Sequence, residues 1–296
     1  MLATPVQRTM RGNAFDVAVT LPDAAGEPDT GETVTVEVLR ADGTVLKAAG
    51  TATTETGTTG VYKVALTAAQ ATLDLLVATW SVAAVVRAMT YHEVVGGVYF
   101  SVEQLRAAEP TMVGDPTLDL VALRDDVEVE FESITEVAWV PRYQRVRLDG
   151  TGTTRLGLPD ARPRSNADGS AAVRSVRVYS SVTTYTSFTA TELASLWVVG
   201  VREIHRRDGG VFAAGHGNIV IDYEHGYDAP APDLRRAALR RARTRRNMST
   251  KGIPDRAISF TAENGATYRL STPGEKRTGD PEVDAVLARY DHSTVL

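Results

Sequence analysis

The sequence predicts an α+β fold. An N-terminal immunoglobulin-like β-sandwich is expected over residues 1–97, a mixed helical and β domain over 98–248, and an extended C-terminal hairpin and docking tail over 249–296. Three observations predict this. Apolar and polar residues alternate through the first 97 positions, the period of half-buried strands. Two later stretches, 116–138 and 233–247, repeat apolar residues every three or four positions, as amphipathic helices do. Between them lie β-branched runs separated by loops rich in Gly, Ser, Thr and Asp.

The elements follow in order. Phe15, Val17 and Val19 alternate, as do Val34, Val36 and Val38, then Val61, Val64 and Leu66, and residues 78–94 hold two more strands. Asp42 and Gly43 suit a tight primed hairpin turn. Five or more short strands need a partner sheet, hence a sandwich, here without an inter-sheet cysteine pair and ending near Gly96 and Gly97. Ser101 and Gln104 then form a capping box for a short helix that stops before Pro110. Asp115 is the expected N-cap of the next helix, with Pro116 at its first position and an end near Ala138. Leu120, Leu123, Val127, Phe131, Ile134 and Ala138 share one face of it, while Asp119, Asp125, Asp126, Glu128, Glu130, Glu132 and Glu136 lie off that stripe.

Strands are expected over 142–148, 173–179, 196–204 and 219–223. Pro230 and Pro232 keep the next connection extended, and Asp233 is placed to cap a helix with the apolar stripe Leu234, Ala237, Ala238 and Ala242. That helix carries seven arginines, at 235, 236, 240, 241, 243, 245 and 246, and no acid after Asp233. At 100° per residue Arg241 and Arg245 fall beside the apolar stripe, so something acidic should lie against it. The last residues predict a hairpin through Glu263, Asn264 and Gly265 to Tyr268 and Leu270. A helix over 281–290 follows, with Val283, Val286, Leu287 and Tyr290 on one side, too short to persist alone and therefore a docking element.

Charge is uneven along the chain. Residues 1–100 carry 6 basic and 10 acidic side chains, 101–232 carry 13 and 19, and 233–296 carry 13 and 8, so a basic end follows an acidic body. A nucleic-acid binder normally presents a broadly basic face; here the arginines compete with nearby acid, and pairing within or between subunits is the expected use. Cysteine is absent, which excludes disulfides and thiolate metal sites. The longest apolar stretch, 75–86, is too short to cross a bilayer, and the first residues lack a signal-peptide core. No G-x-S-x-G, P-loop or H-E-x-x-H pattern occurs. His216, Asp222, Glu224, His225 and Asp228 cluster in sequence, but on a strand Asp222 and Glu224 face away from His225. No catalysis, cofactor or metal is expected.

Several stretches resemble the head-tail connector, or adaptor, proteins of long-tailed double-stranded DNA bacteriophages. They are SVEQLRAAEP at 101–110, AWVPRYQRVRLDG at 138–150, LGLPDARP at 156–163 with VRSVRVYSS at 173–181, IVIDYEHGYDAPAPDLRRAAL at 219–239, GIPDRAISF at 252–260 and GDPEVDAVLARY at 279–290. The resemblance covers about residues 98–296 and leaves the sandwich outside it. It implies a connector domain over 98–248 and a virion structural protein of the neck, assembled in the host cytoplasm. The expected state is a homo-oligomeric ring, twelvefold as in related adaptors, that joins the portal to a stopper or tail-completion protein. Double-stranded DNA would pass through it without sequence-specific binding.

In such a ring Arg235, Arg236, Arg240, Arg241 and Arg243 would face Asp125, Asp126, Glu128, Glu132 and Glu136 of the neighbouring subunit, or the acidic helix would instead line the channel through which DNA slides. Val283, Val286, Leu287 and Tyr290 would dock either on their own domain or, as the resemblance implies, on the portal. Two other readings are open from the residues: a DNA-binding module using the helix over 233–247, and a surface or carbohydrate-binding protein led by the sandwich.

Overall fold

The computed structural model describes residues 7–57, 59–250, 259–261, 267–269 and 278–290. Within them the chain divides otherwise than its order suggests. Residues 1–97 pack with 141–226 as one unit, and 98–140 with 227–296 as the other. The expected partition at 97 and 248 is therefore corrected. The cause is the β segment after Pro141: its first and last strands are antiparallel neighbours, so it leaves and returns at one place.

The first unit opens with β1 (Gln7–Met10), β2 (Phe15–Thr20), β3 (Val34–Arg40), β4 (Val45–Ala52), β5 (Thr54–Glu55), β6 (Val61–Leu66), β7 (Asp74–Val82) and β8 (Val85–Val95). They form two facing sheets, ordered β1-β8-β7-β3-β4 and β2-β6-β5, with β1 parallel to β8. Alternate residues of the expected strands close the core: Val17, Val36, Val38, Tyr62, Leu66, Leu76, Ala78 and Trp80 are all at most 1 % exposed. The Asp42-Gly43 turn is not primed. Gly43 alone has positive φ (89°) there, and its amide bonds to the Arg40 carbonyl. The two-residue turn with both residues left-handed is Ala83-Ala84 (φ 47° and 63°), closed by the Val82–Val85 pair, and alanine gives no sequence signal for it.

The chain next forms α1 (Val102–Ala108) and α2 (Thr117–Thr135) of the second unit, then returns through β9 (Arg142–Gly150), β10 (Arg155–Gly157), β11 (Val173–Tyr179), β12 (Tyr185–Ser187), α3 (Ala190–Ala194), β13 (Leu196–Val199), β14 (Glu203–Arg206) and β15 (Gly215–His225). The strand expected over 196–204 is thus a hairpin, β13 and β14, turned at Gly200 (φ 65°). A four-stranded sheet, β12-β11-β15-β9, faces a three-stranded one, β10-β14-β13, around Leu156, Val176, Leu196, Ile204, Phe212 and Ile221.

Gly96 and Gly97 are not a linker. A Cβ on Gly96 would stand 2.4 Å from Cβ of Pro141, and the Gly96 amide bonds to the Pro141 carbonyl at 2.8 Å. Charges join the same surfaces: Glu93 accepts from both Arg8 (3.1 Å) and Arg142 (3.2 Å), and Asp74, 4 % exposed, holds Arg40 at 2.8 Å with Arg174 at 3.8 Å.

The second unit continues with α4 (Pro232–Thr250), β16 (Ser259–Thr261), β17 (Thr267–Arg269) and α5 (Pro281–Leu287). β16 and β17 pair antiparallel, as the C-terminal hairpin requires; its turn and Leu270 lie outside the described residues. The capping box of α1 is formed by Ser101 and Gln104. For α2 the expected cap is displaced: Pro116 is the N-cap residue, and Asp115 is drawn instead into two bonds from Arg246, both 2.8 Å. Its end comes at Thr135, because Glu136 is left-handed (φ 56°).

His92 is 1 % exposed in the sandwich, its Nε2 3.2 Å from the Thr90 hydroxyl that also accepts from Trp80 Nε1 at 3.0 Å. Burial without a counter-charge lowers its pKa to about 4. An unfolded histidine titrates near 6.5, so the stability His92 permits is complete above that pH and is lost as pH falls toward 4. His92→Leu is expected to reduce the loss of stability between pH 7 and 4.5 by about 2–3 kcal/mol relative to the native chain, read from urea unfolding at both pH values. Equal pH dependence of the two proteins would place the acid lability elsewhere.

Candidate functional site

The arginine helix α4 and the acidic helix α2 belong to one unit and pack on each other within the chain. Their apolar stripes meet: Leu120, Val127 and Phe131 of α2 and Leu234, Ala238 and Ala242 of α4 are all at most 1 % exposed. Alanine on α4 lets the two backbones approach, and this brings the charges flanking each stripe inside. Arg241, 2 % exposed, donates from Nε and Nη2 to the two carboxylate oxygens of Glu130 at 2.9 and 3.0 Å. Arg245 reaches the same carboxylate at 3.2 Å.

The remaining arginines find acids around the rim. Arg243 Nε donates to Glu109 at 3.1 Å and Arg246 to Asp115. Arg240 donates to Asp280 at 2.7 Å and also to Glu282. Five of the seven arginines therefore pair with carboxylates of their own chain. The carboxyl of Asp115 is held below its ordinary range by the bond from Arg246, and that of Glu109 by Thr111 and then Arg243. Arg235 and Arg236 have no acid partner among the described residues.

The acids expected to face a neighbouring subunit divide in two. Asp125 (8 % exposed) and Glu128 (0 %) are inside the unit: Arg124 bonds Asp125 at 2.8 Å, and Glu128 accepts the Tyr99 amide at 2.7 Å. Arg241, Asp125 and Glu128 are thus corrected as interface residues, since the sequence pattern ranks polarity but not which polar residues a tight helix contact encloses. Asp126 and Glu136 are exposed, and Glu132 is half-buried. The portal-gripping assignment is corrected likewise. Val283 and Leu287 of α5 are buried (0 % and 1 %), and Tyr290 donates to Asp233 at 2.7 Å and meets Trp139 edge-on at 5.1 Å. Asp280 caps α5 and holds Arg240, so the short helix docks on its own unit.

The cluster around β15 serves packing. Asp222, 2 % exposed, accepts from Tyr143 at 2.7 Å, from Arg145 at 3.2 Å and from Ser175. Burial, and then the bond to Asp222, pushes the Tyr143 pKa upward. His216 is exposed beside Asp149, and the glycine-rich turn after β14 is folded over Arg206, which bonds Asp208 and Glu192. Among the described residues no three His, Asp or Glu side chains converge as a metal site would require. The Arg241–Glu130 pair had a partial signal, the position of Arg241 beside the apolar stripe; its partner had none.

No protein-family model matches this chain, and no curated protein does. Among solved structures it is similar to a chain from the virion of a native gene transfer agent particle, at 18% identity over 67% of this chain and 92% of the other, with a TM-score of 0.46. It is similar to a chain from the neck of an empty particle of that kind at 17% identity, with the same coverages and a TM-score of 0.45. The filamin domain of Lin-41 matches at 16% identity over 32% of this chain and 90% of its own, with a TM-score of 0.25.

Two outcomes test this arrangement. Arg241→Met takes the two-pronged partner from the buried Glu130 carboxylate and should cost about 3 kcal/mol, most of it recovered when Glu130→Gln is added. Urea titrations of the three proteins measure this; a single variant as stable as the native chain would mean that the pair is not closed. Leu287→Ala should lower the stability of the free chain by about 2 kcal/mol or more, because its contacts exist without any partner.

Proposed function

We propose that this chain is a structural subunit of a virion neck, an adaptor that forms a homo-oligomeric ring between portal and stopper or tail. One observation carries the reading. The stretches that resemble adaptors are far apart in sequence, yet three of them meet in one aromatic cluster. Trp139 from AWVPRYQ stacks on Tyr227 from HGYDAPAP at 4.7 Å and meets Tyr290 from VLARY, and the Tyr227 amide bonds to the Ala138 carbonyl at 3.0 Å. A further one of the seven, SVEQLRAAEP, contains α1, whose C-cap residue Glu109 accepts from Arg243 of α4. Order and spacing that look like a family's are thereby used together in one core.

A nucleic-acid reading of α4 loses ground for a physical reason. Guanidinium groups already paired with carboxylates release few counterions from DNA, and five of the seven are so paired. A ring through which DNA slides has no need of tight contacts.

Co-expression with a candidate phage portal protein is expected to give a complex whose negative-stain images carry an added ring on the portal. A 30-base-pair duplex should show no salt-steep binding to the free chain. Failure to co-purify with the portal, or DNA affinity that falls steeply with salt, would overturn the reading.

A further inference from the structure

We infer that the outward face of α2 is the surface through which one copy of this chain holds the next. The inference rests on the ring reading above and names its contact. Among the described residues the second unit exposes three large aliphatic side chains strongly, Val113 (65 %), Leu118 (81 %) and Val129 (52 %), and all lie on α2 or just before it. At 100° per residue Leu118, Ala122 and Val129 fall within about 40° of one another and span about 16 Å of the helix. Asp119 and Asp126 border this strip, both exposed and without a cation partner among the described residues.

A complementary row exists on the same unit. Arg236, Arg240 and Arg243 recur along the solvent side of α4; Arg240 and Arg243 keep nearly half of their side chains exposed (47 % and 46 %), and Arg236 has no acid. The stems of Arg240 and Arg243 can lie on Leu118 and Val129 while their heads keep Asp280, Glu282 and Glu109, and the uncompensated head of Arg236 can reach Asp119 or Asp126. The inner sides of both helices are already closed by the Glu130–Arg241 pair. The occupant that matches the strip in chemistry, long aliphatic stems with an uncompensated cation at Arg236, is thus the arginine row of a second copy, which covers about 10 Å of it. Because the two surfaces differ, the contact is head to tail, the kind whose repetition closes a ring where the rotation per copy divides a full turn.

The absence of native cysteine makes the test direct. Two differently tagged full-length proteins, Ala122→Cys and Arg236→Cys, are mixed with the portal and treated with a short bismaleimide. Mixed cross-links should exceed like-with-like cross-links, and adding Leu118→Asp and Val129→Asp to the first protein should lower them roughly tenfold. These positions are exposed, so circular dichroism and melting temperature should not change; Val182→Asp, on an exposed loop elsewhere, should leave the yield intact. Mixed cross-links no more frequent than like-with-like ones, or indifferent to Leu118→Asp, would overturn the inference. A portal-bound ring with no such cross-link rejects this face alone, whereas cross-linked chains that never bind the portal support the face and reject the neck reading.

Discussion

The helical unit depends on one interaction, the buried pair of Arg241 and Glu130. An arginine helix packed by an alanine stripe brings its flanking guanidinium groups within reach of the partner helix, and a buried guanidinium without a carboxylate would cost several kcal/mol. Glu130 meets that need in a two-pronged geometry and takes a share of Arg245 as well. Such a pair adds little net stability over an apolar one of the same shape, but it does fix register. A slide of one turn along either helix would leave both charges buried and apart. Arg243, Arg246 and Arg240 then find Glu109, Asp115 and Asp280 at their own places around the rim, each exposed enough to contribute less.

This lattice changes the meaning of the charge asymmetry along the chain. A basic last fifth on an acidic body reads in sequence as a surface awaiting a partner. In the fold the body supplies Glu109, Asp115 and Glu130 and the basic end itself supplies Asp280 and Glu282, so that only Arg235 and Arg236 on α4 are left without acids among the described residues. The distinction matters for function, since electrostatic attraction to DNA or to a neighbour depends on charges that remain uncompensated and exposed.

What was legible in the sequence follows from periodicity and local chemistry. The alternation of Val34, Val36 and Val38, the capping box of Ser101 and Gln104, and the stripe of Leu234, Ala238 and Ala242 all specify their elements without help from distant residues. The rest was set by distant ones. Asp115 gives up its expected capping role because Arg246, far along the chain, takes its carboxylate. Ala83 and Ala84 adopt left-handed conformations because β7 and β8 must pair in register across them, although alanine does not favour that region. Glu128 is enclosed although it lies off the apolar stripe of α2, since the Tyr99 amide needs an acceptor in the interior.

The same logic bears on the sandwich, which in sequence looks like an appended module ending at two glycines. Its Glu93 and Asp74 are partners of Arg142 and Arg174 in the neighbouring β segment, and Arg142 is only 3 % exposed. Removing the sandwich would uncover that arginine together with the Pro141 surface against which Gly96 is fitted. An added domain joined by a flexible linker would leave both surfaces indifferent to its loss. The contact couples the folding of residues 1–97 to that of 141–226, so the sandwich belongs to the same folded body as the β segment that follows Pro141.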